Sequence, residues 1–500
     1  MEMKKIAFFT GFTFWTPSYE RELELIQKHI DAGDNVEQIV CNGEMLSCYV
    51  NRNHTLKKCS RCIETRLYSY RLISKKIKRI NYLHLTHKDK KIIKKYINLV
   101  DKLSDIQSLK KLKFDNYDLG LAVSSSVISL LRDDEPDIIK QKKLVARTLA
   151  TSLSVYLSMI NLLKKNKYSL VYLFNGRVAE LRAVLRACQK MNVTCITHEI
   201  GCDKDHYSLY FNTIPHDIEY NTKVIIEHWN NSELEEQEKV NLASQFYINN
   251  SKGISKMGRS YVSGQTEGLL PSDWSSKNQN IVIFNSSEDE FASISNQWNY
   301  PFYENQEQGI SWICRDLQRL RPDIKIYLRC HPNLTGLDNS QMKRIKNLSY
   351  DNLTVIPPDS PVSTYHLIQK AEKVITFGST VGIEATFWRK PSICLGKSLY
   401  YELDATYNPS SHDEAISMII SYLPPKPIDG ALKYGYYCQT FGYRYIHFKA
   451  EKVGKGKFKG VDLSQIKLVL CNLPFIKTRF LQNLFSLYTR FRIMSSFRKI

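Results

Sequence analysis

The sequence has no apolar run of the ~18 residues that would argue for a transmembrane helix. Its start, MEMKKIAFFTGF, lacks the long apolar stretch and small-residue cleavage site of a secretory signal, so a cytoplasmic protein is expected. Hydrophobic residues at 43% and charged residues at 24% exclude a collagen, a coiled coil and a wholly disordered chain. Twelve cysteines in 500 residues are too sparse for a disulfide scaffold. No G-x-x-x-x-G-K-[ST] loop is present, which takes support from a P-loop kinase. Nor does G-x-G-x-x-G follow the first apolar segment, where Gly11-Phe12-Thr13-Phe14-Trp15 stands instead, and a nicotinamide-dependent dehydrogenase loses support with it. The D-x-D spacing occurs as Asp203-Lys204-Asp205, but the lysine would compete with a cation. A metal-independent reaction is expected.

What is present is charge, unevenly placed. The 70 Lys+Arg against 50 Asp+Glu give a net charge of +20. Residues 57–113 hold 18 Lys/Arg against 4 acids, and residues 431–500 hold 14 against 2. Such blocks suit a polyanionic partner, a membrane surface or a nucleic acid. Residues 475–500 carry six basic residues and no acid, with Phe480, Leu484, Leu487 and Phe491 near one face at helical spacing. That pattern predicts an interfacial helix on anionic lipid, the alternative being a helix packed on the protein itself. No nucleic-acid module is recognised, so nucleic acid is not an expected partner.

A length of 500 residues calls for two or three domains. KKIAFFTGF reads as a buried strand. Thr16-Pro17 reads as a helix start, with Leu23, Ile26 and Ile30 on one side, and Val36–Cys41 as the next strand. This is the opening of a doubly wound α/β unit. Residues 66–113 read as basic helices and 138–165 as a helix. SLVYLF (169–174) and VTCIT read as strands flanking the helix AELRAVLRACQKM. Residues 231–257 read as a polar helix and 268–280 as a linker. A second α/β set follows, with strands at 281–284, 324–329, 353–356, 373–377 and 391–395 and helices between. The expected fold class is α/β, two Rossmann-like doubly wound domains with a basic helical insertion and a C-terminal basic helix.

In open parallel sheets, ligands bind at the carboxyl ends of the strands. The second set places Asn285-Ser286-Ser287, Arg329-Cys330-His331-Pro332 and Gly378-Ser379-Thr380 there. Free N–H groups and hydroxyls at Gly378, Ser379 and Thr380 suit a phosphate. Glu384, about one turn on, suits ribose hydroxyls. His331 can donate to a diphosphate and Arg329 can pair with phosphate oxygens. Each also has a plain structural reading as a cap, a turn residue or a solvated side chain. The first set gathers Gly11 to Trp15, Asn175-Gly176-Arg177 and His198-Glu199 at strand ends. Glu199 and His198 are the candidate general bases, with Glu20 behind, and Trp15 is a candidate platform for a sugar face. Cys41, Cys48, Cys59 and Cys62 cluster early, and a structural zinc is one reading of them. Reduced thiols packed in a core are the other, and no cofactor is the expectation.

The segments GFTFWTPSYERELE, FNGRVAELRAVLRACQ, HEIGCDKD, FNSSEDEF, RCHPN and FGSTVGIEATFWRKPSICLG resemble bacterial capsular polysaccharide biosynthesis proteins, which look like GT-B-type glycosyltransferases. The His-Pro and Ser/Thr motifs are also similar to those of capsule sialic-acid and Kdo transferases and of teichoic-acid polymerases. By that resemblance, His331, Ser379 and Thr380 engage the donor's nucleotide phosphate. Residues 1–257 form an acceptor-side Rossmann-like domain, 278–430 a nucleotide-sugar-binding one, and 431–500 a basic extension. The implied activity transfers a sugar from a nucleotide-sugar donor to a surface polysaccharide or its lipid-linked precursor, near an anionic membrane. A nucleotide-sugar 2-epimerase or a polyol-phosphate transferase on the same fold is the alternative, and a non-enzymatic nucleic-acid binder is a third reading.

Overall fold

The computed structural model describes residues 3–256 and 260–466. The proposed lipid-facing helix at 475–500 lies outside them. Fourteen strands are described. They are β1 (Lys5–Thr10), β2 (Asn35–Val40), β3 (Lys78–Asn81), β4 (Leu170–Phe174), β5 (Thr194–Ile200), β6 (His206–Phe211), β7 (Gln279–Phe284), β8 (Ile324–Arg329), β9 (Leu353–Ile356), β10 (Lys373–Thr376), β11 (Ser392–Cys394), β12 (Tyr443–Arg444), β13 (Phe448–Lys452) and β14 (Lys455–Phe458).

The chain divides into two compact units. Unit 1 comprises residues 1–131, 136–215 and 442 onward, and unit 2 comprises 132–135 and 216–441. Unit 1 holds a seven-stranded sheet in the order β12-β6-β5-β4-β1-β2-β3. Its five central and far-edge strands are parallel, while β6 runs antiparallel to both β5 and β12. Unit 2 holds a five-stranded parallel sheet, β11-β10-β7-β8-β9. Both sheets reverse strand order beside their first strand, at β1/β4 and at β7/β10. Those reversals are the switch points where open α/β sheets form crevices. The expected α/β fold with two Rossmann-like units is borne out.

Period-two alternation explains why β7 is covered on both faces. Ile281 and Ile283 join Ile313, Leu317, Ile326 and Leu328 in one core. Val282 and Phe284 join Tyr327, Leu367 and Ala385 in the opposite one. In unit 1, Ile6 and Phe8 of β1 pack with Tyr19, Leu23 and Ile26 of the helix Ser18–Asp31.

Four expectations need correction. Residues 66–113 are not helical throughout: β3 pairs with β2 as the parallel edge of the sheet. The segment KRIN is half basic and lacks an apolar run, which hid it. The helix Leu119–Leu131 had no place in the reading, because its apolar residues lie on all sides and give no stripe. The first unit ends near residue 215 rather than 257. The helices Ile218–Asn230 and Glu236–Ser251 belong to unit 2, where they pack on Asp429–Thr440. Tyr247 Oη donates to the Ala431 carbonyl at 2.6 Å, and His228 Nε2 meets Thr440 Oγ1 at 2.8 Å. Gly435 permits that approach, since a Cβ there would stand 2.6 Å from the Ala243 carbonyl oxygen. Finally, 443–466 is no free extension: β12 pairs with β6, and β13 and β14 form a hairpin whose Phe448 and Phe458 enter the unit 1 core.

Candidate functional site

In unit 2 the ends of β7, β8 and β10 converge at the switch point. Asn285, Ser286 and Ser287 are all buried. Asn285 Oδ1 accepts the His331 backbone N–H at 2.8 Å, which ties the β7 and β8 ends together. Ser286 Oγ donates to the Phe377 carbonyl at 3.3 Å, which ties β7 to β10. Ser287 Oγ donates to Asp289 at 2.6 Å. The Asn285 amide nitrogen is buried and has no partner. Buried amides without partners are rare, so this one is available to a ligand oxygen.

His331 Nδ1 accepts the Asn333 N–H at 3.1 Å. The neutral ring therefore carries its proton on Nε2, and Nε2–H is the donor. Tyr261 lies tilted against that ring, with centroids 5.0 Å apart. Gly378 has φ +92°, and a Cβ there would stand 2.3 Å from the Lys397 carbonyl oxygen. Only glycine turns the chain at that point. Ser379 is half-buried and Thr380 exposed. Ser379 Oγ accepts the Val381 N–H at 3.3 Å, and its carbonyl accepts from Tyr400.

Two expected ligands are otherwise engaged. Arg329 is buried, and its guanidinium donates to the carbonyls of Pro357 and Ser360 (the latter at 3.1 Å), so it anchors the loop after β9. Glu384 is buried and accepts from Tyr365 Oη and, at 3.3 Å, from Thr380 Oγ1. Burial raises its carboxyl to about 7, against the pull of those two hydrogen bonds.

In unit 1, the reversal between β1 and β4 gathers Gly11 to Trp15 and Asn175 to Arg177. Gly176 has φ +77°, and a Cβ there would stand 3.0 Å from Thr197 Cγ2. Arg177 donates to Ser125 at 3.0 Å and Ser129 at 3.3 Å. Glu199 is held by Arg21 at 3.3 Å and by Asn175 Nδ2 at 2.7 Å. His198 is 0% exposed and neither ring nitrogen has a partner. Burial, with Arg21 nearby, keeps it neutral. A fully buried imidazole reaches no acceptor hydroxyl, and both Glu199 oxygens are already engaged, one by Arg21 and the other by Asn175. These two expectations do not fit the geometry.

Glu20 does. It lies 3% exposed in the first turn of Ser18–Asp31. Oε1 accepts from Thr16 Oγ1 at 3.0 Å, and Oε2 has no partner. Burial raises the carboxyl to about 7. A cavity of about 60 Å³ opens against it, lined also by Thr13, Trp15, Arg61, Leu463 and Ser464. Trp15, half exposed at φ +71°, forms one wall. Sequence reasoning placed Glu20 behind Glu199 and His198, since nothing local shows that its carboxyl is buried with one oxygen unpartnered. Arg61 was missed as a site residue, and Asn285 was placed at the strand end without a role of its own. Asn285 carried a signal, since it heads the quoted Asn-Ser-Ser turn.

Two Rossmann-like units with polar strand ends at their switch points form a framework of nucleotide-binding α/β proteins. The family model described as capsule polysaccharide biosynthesis protein matches residues 192–415, which bears out the sequence resemblance over β5 to the helix His412–Ile420. No curated protein matches the chain. Among solved structures, the chain is similar to a Thermosulfurimonas dismutans KpsC, a beta Kdo 2,4 transferase. They share 14% identity over 58% of this chain and 84% of that one, with a TM-score of 0.37. It is also similar to the Methanocaldococcus jannaschii UDP-GlcNAc 2-epimerase in complex with UDP-GlcNAc and UDP. That match has 12% identity over 86% and 98% of the two chains, with a TM-score of 0.27. Among the described residues no helix is long and apolar enough to cross a membrane.

Proposed function

We propose that the chain is a glycosyltransferase of capsular polysaccharide synthesis, with the nucleotide-sugar donor bound by unit 2 and the acceptor hydroxyl deprotonated in unit 1. The family match supports the biological setting. The observation that carries the chemistry is Glu20, a buried carboxyl at about 7 with one unpartnered oxygen, in the wall of a cavity. A base whose pKa lies near the working pH is both deprotonated and basic enough to take a proton. The Glu20 carboxylate takes the acceptor proton, the acceptor oxygen bonds to the donor's anomeric carbon, and the bond from that carbon to the phosphate oxygen breaks. The His331 Nε2–H, the Ser379 hydroxyl and the Asn285 amide are the donors for the leaving phosphate. Donors fixed in advance stabilise developing negative charge without reorganising. The step as written uses these groups and no metal.

The basic blocks hold the protein at the anionic inner face of the cell membrane, where a lipid-linked precursor is presented; residues 57–113 supply most of the charge within the described residues.

The test is transfer from a panel of nucleotide sugars to capsular oligosaccharide, followed by product mass. Glu20→Gln should lower kcat by about 10²–10⁴ and leave nucleotide-induced thermal stabilisation intact. His331→Ala should weaken that stabilisation. Full turnover by Glu20→Gln would remove the base assignment and return Glu199 to the role. A product of unchanged donor mass indicates an epimerase, and a new phosphodiester a polyol-phosphate transferase.

A further inference from the structure

The four early cysteines play no part in the proposed reaction, yet they converge. Cys41, Cys48, Cys59 and Cys62 line one cavity in unit 1 together with Phe14 and Met45. They come from different places. Cys41 directly follows β2, Cys48 lies in the irregular stretch 41–55, and Cys59 and Cys62 stand on the helix Leu56–Ser69.

Their surroundings suit thiolates. The Gly43 N–H donates to Cys41 Sγ at 3.3 Å, and the Asn51 amide donates to Cys59 Sγ at 3.2 Å. Further hydrogen bonds reach Cys41 from Met45 and Cys62 from Thr13. Donors aimed at sulfur suit metal-bound thiolates, whose charge they stabilise.

The spacing decides the size of the occupant. One zinc ion, at a Zn–S distance of about 2.3 Å in a tetrahedron, draws its sulfurs to about 3.8 Å of one another. No three of these sulfurs meet even within 4.8 Å. Among the described residues that criterion is met by Cys202, Asp203 and His206, where Asp203 already accepts from His206 and from the Asp205 N–H to close the β5–β6 turn. The four cysteines instead stand apart along the walls of one cavity. Four thiolates standing apart around such a space fit a body whose ligands attach to separate metal atoms.

We propose that Cys41, Cys48, Cys59 and Cys62 ligate an iron–sulfur cluster, which holds residues 41–55 and the helix Leu56–Ser69 against the loop that follows β1. Gly11 and Phe14 of that loop line the same cavity. The role is structural, and it stands whether or not the chain transfers a sugar.

The full chain, purified without oxygen, should contain about two to four irons with an equal amount of acid-labile sulfide, and show broad visible absorbance that dithionite bleaches. Cys59→Ser and Cys62→Ser should each lower iron to less than about one per chain, whereas Cys438→Ser should leave it unchanged. If the serine variants do not fold, wild-type chain stripped with a chelator and treated with ferrous iron and sulfide should regain the absorbance. About one zinc per chain without sulfide overturns the cluster. So does a chain that holds neither metal and takes up no iron on reconstitution.

Discussion

At the scale of single residues, the two units use one device: a carboxyl buried beside a polar strand end. Glu20, Glu22 and Glu384 are each raised to about 7, desolvation being the largest cause in every case. Their native pKa values lie above the unfolded value of about 4.3. The native state therefore binds more protons between roughly pH 4.3 and 7, and stability falls as pH rises through that window. Their contribution is fully present below the unfolded pKa and is lost as pH passes about 7. Thermal unfolding followed from pH 5 to 8 should show Tm declining, and Glu22→Gln should flatten that decline. Glu22 serves that comparison because its carboxyl is held in a buried network with Thr10 and Gln38. At Gly378 the expectation is steric. Gly378→Ala meets the Lys397 carbonyl and a positive φ, so it should cost more than about 2 kcal/mol in denaturant unfolding.

At the scale of elements, the helices of unit 2 are held to the strand ends by charge as well as by apolar packing. Arg344, on the helix Ser340–Lys346, contacts Asp134 at 2.6 Å, Glu135 at 2.9 Å, Glu288 at 2.8 Å and Glu307 at 2.9 Å. One guanidinium among four carboxylates leaves excess negative charge, and burial among like charges raises Glu288 and Glu307. Arg344→Met should destabilise by about 3–5 kcal/mol at neutral pH, because buried acids lose their counter-charge. The loss should shrink toward pH 5 as those acids take up protons. Urea unfolding at two pH values measures both.

What was legible follows from the same physics. The five strands of unit 2 are apolar runs bounded by Gly, Pro, Asn and Ser, and the residues predicted at their ends are where the sheet reverses. Short polar strands such as β3 and β12 owe their form to pairing partners far along the chain, which no local pattern displays. Arg329 and Glu384 stood at the right positions, but their direction depended on the Pro357 loop and on Tyr365. The ranking of Glu20 over Glu199 needed Arg21, whose side chain reaches β5 only once the sheet has formed.

At the scale of the whole molecule, each unit depends on chain segments distant in sequence. Glu24, fully buried on the helix Ser18–Asp31, accepts the backbone N–H groups of Ile446, His447 and Phe448 at 2.8–3.0 Å. Arg21 Nε donates to Tyr445 Oη at 3.0 Å. A chain ending at residue 441 should therefore unfold in two calorimetric steps, with the transition of unit 1 moved to lower temperature and that of unit 2 kept. A single unshifted transition would mean that the returning segment contributes little.

The returning segment also sets an order of events at the ribosome. Translation proceeds at about 5–20 residues per second. More than 400 residues separate Glu24 from its three amide partners, so the helix that carries the proposed base waits tens of seconds with a buried-type carboxylate exposed. Unit 2 is complete by residue 441, and unit 1 is not. Unit 2, the proposed donor half, is thus the first to mature, and unit 1, the proposed acceptor half, is finished last. A nascent chain stalled before residue 442 should already bind nucleotide while remaining unable to transfer.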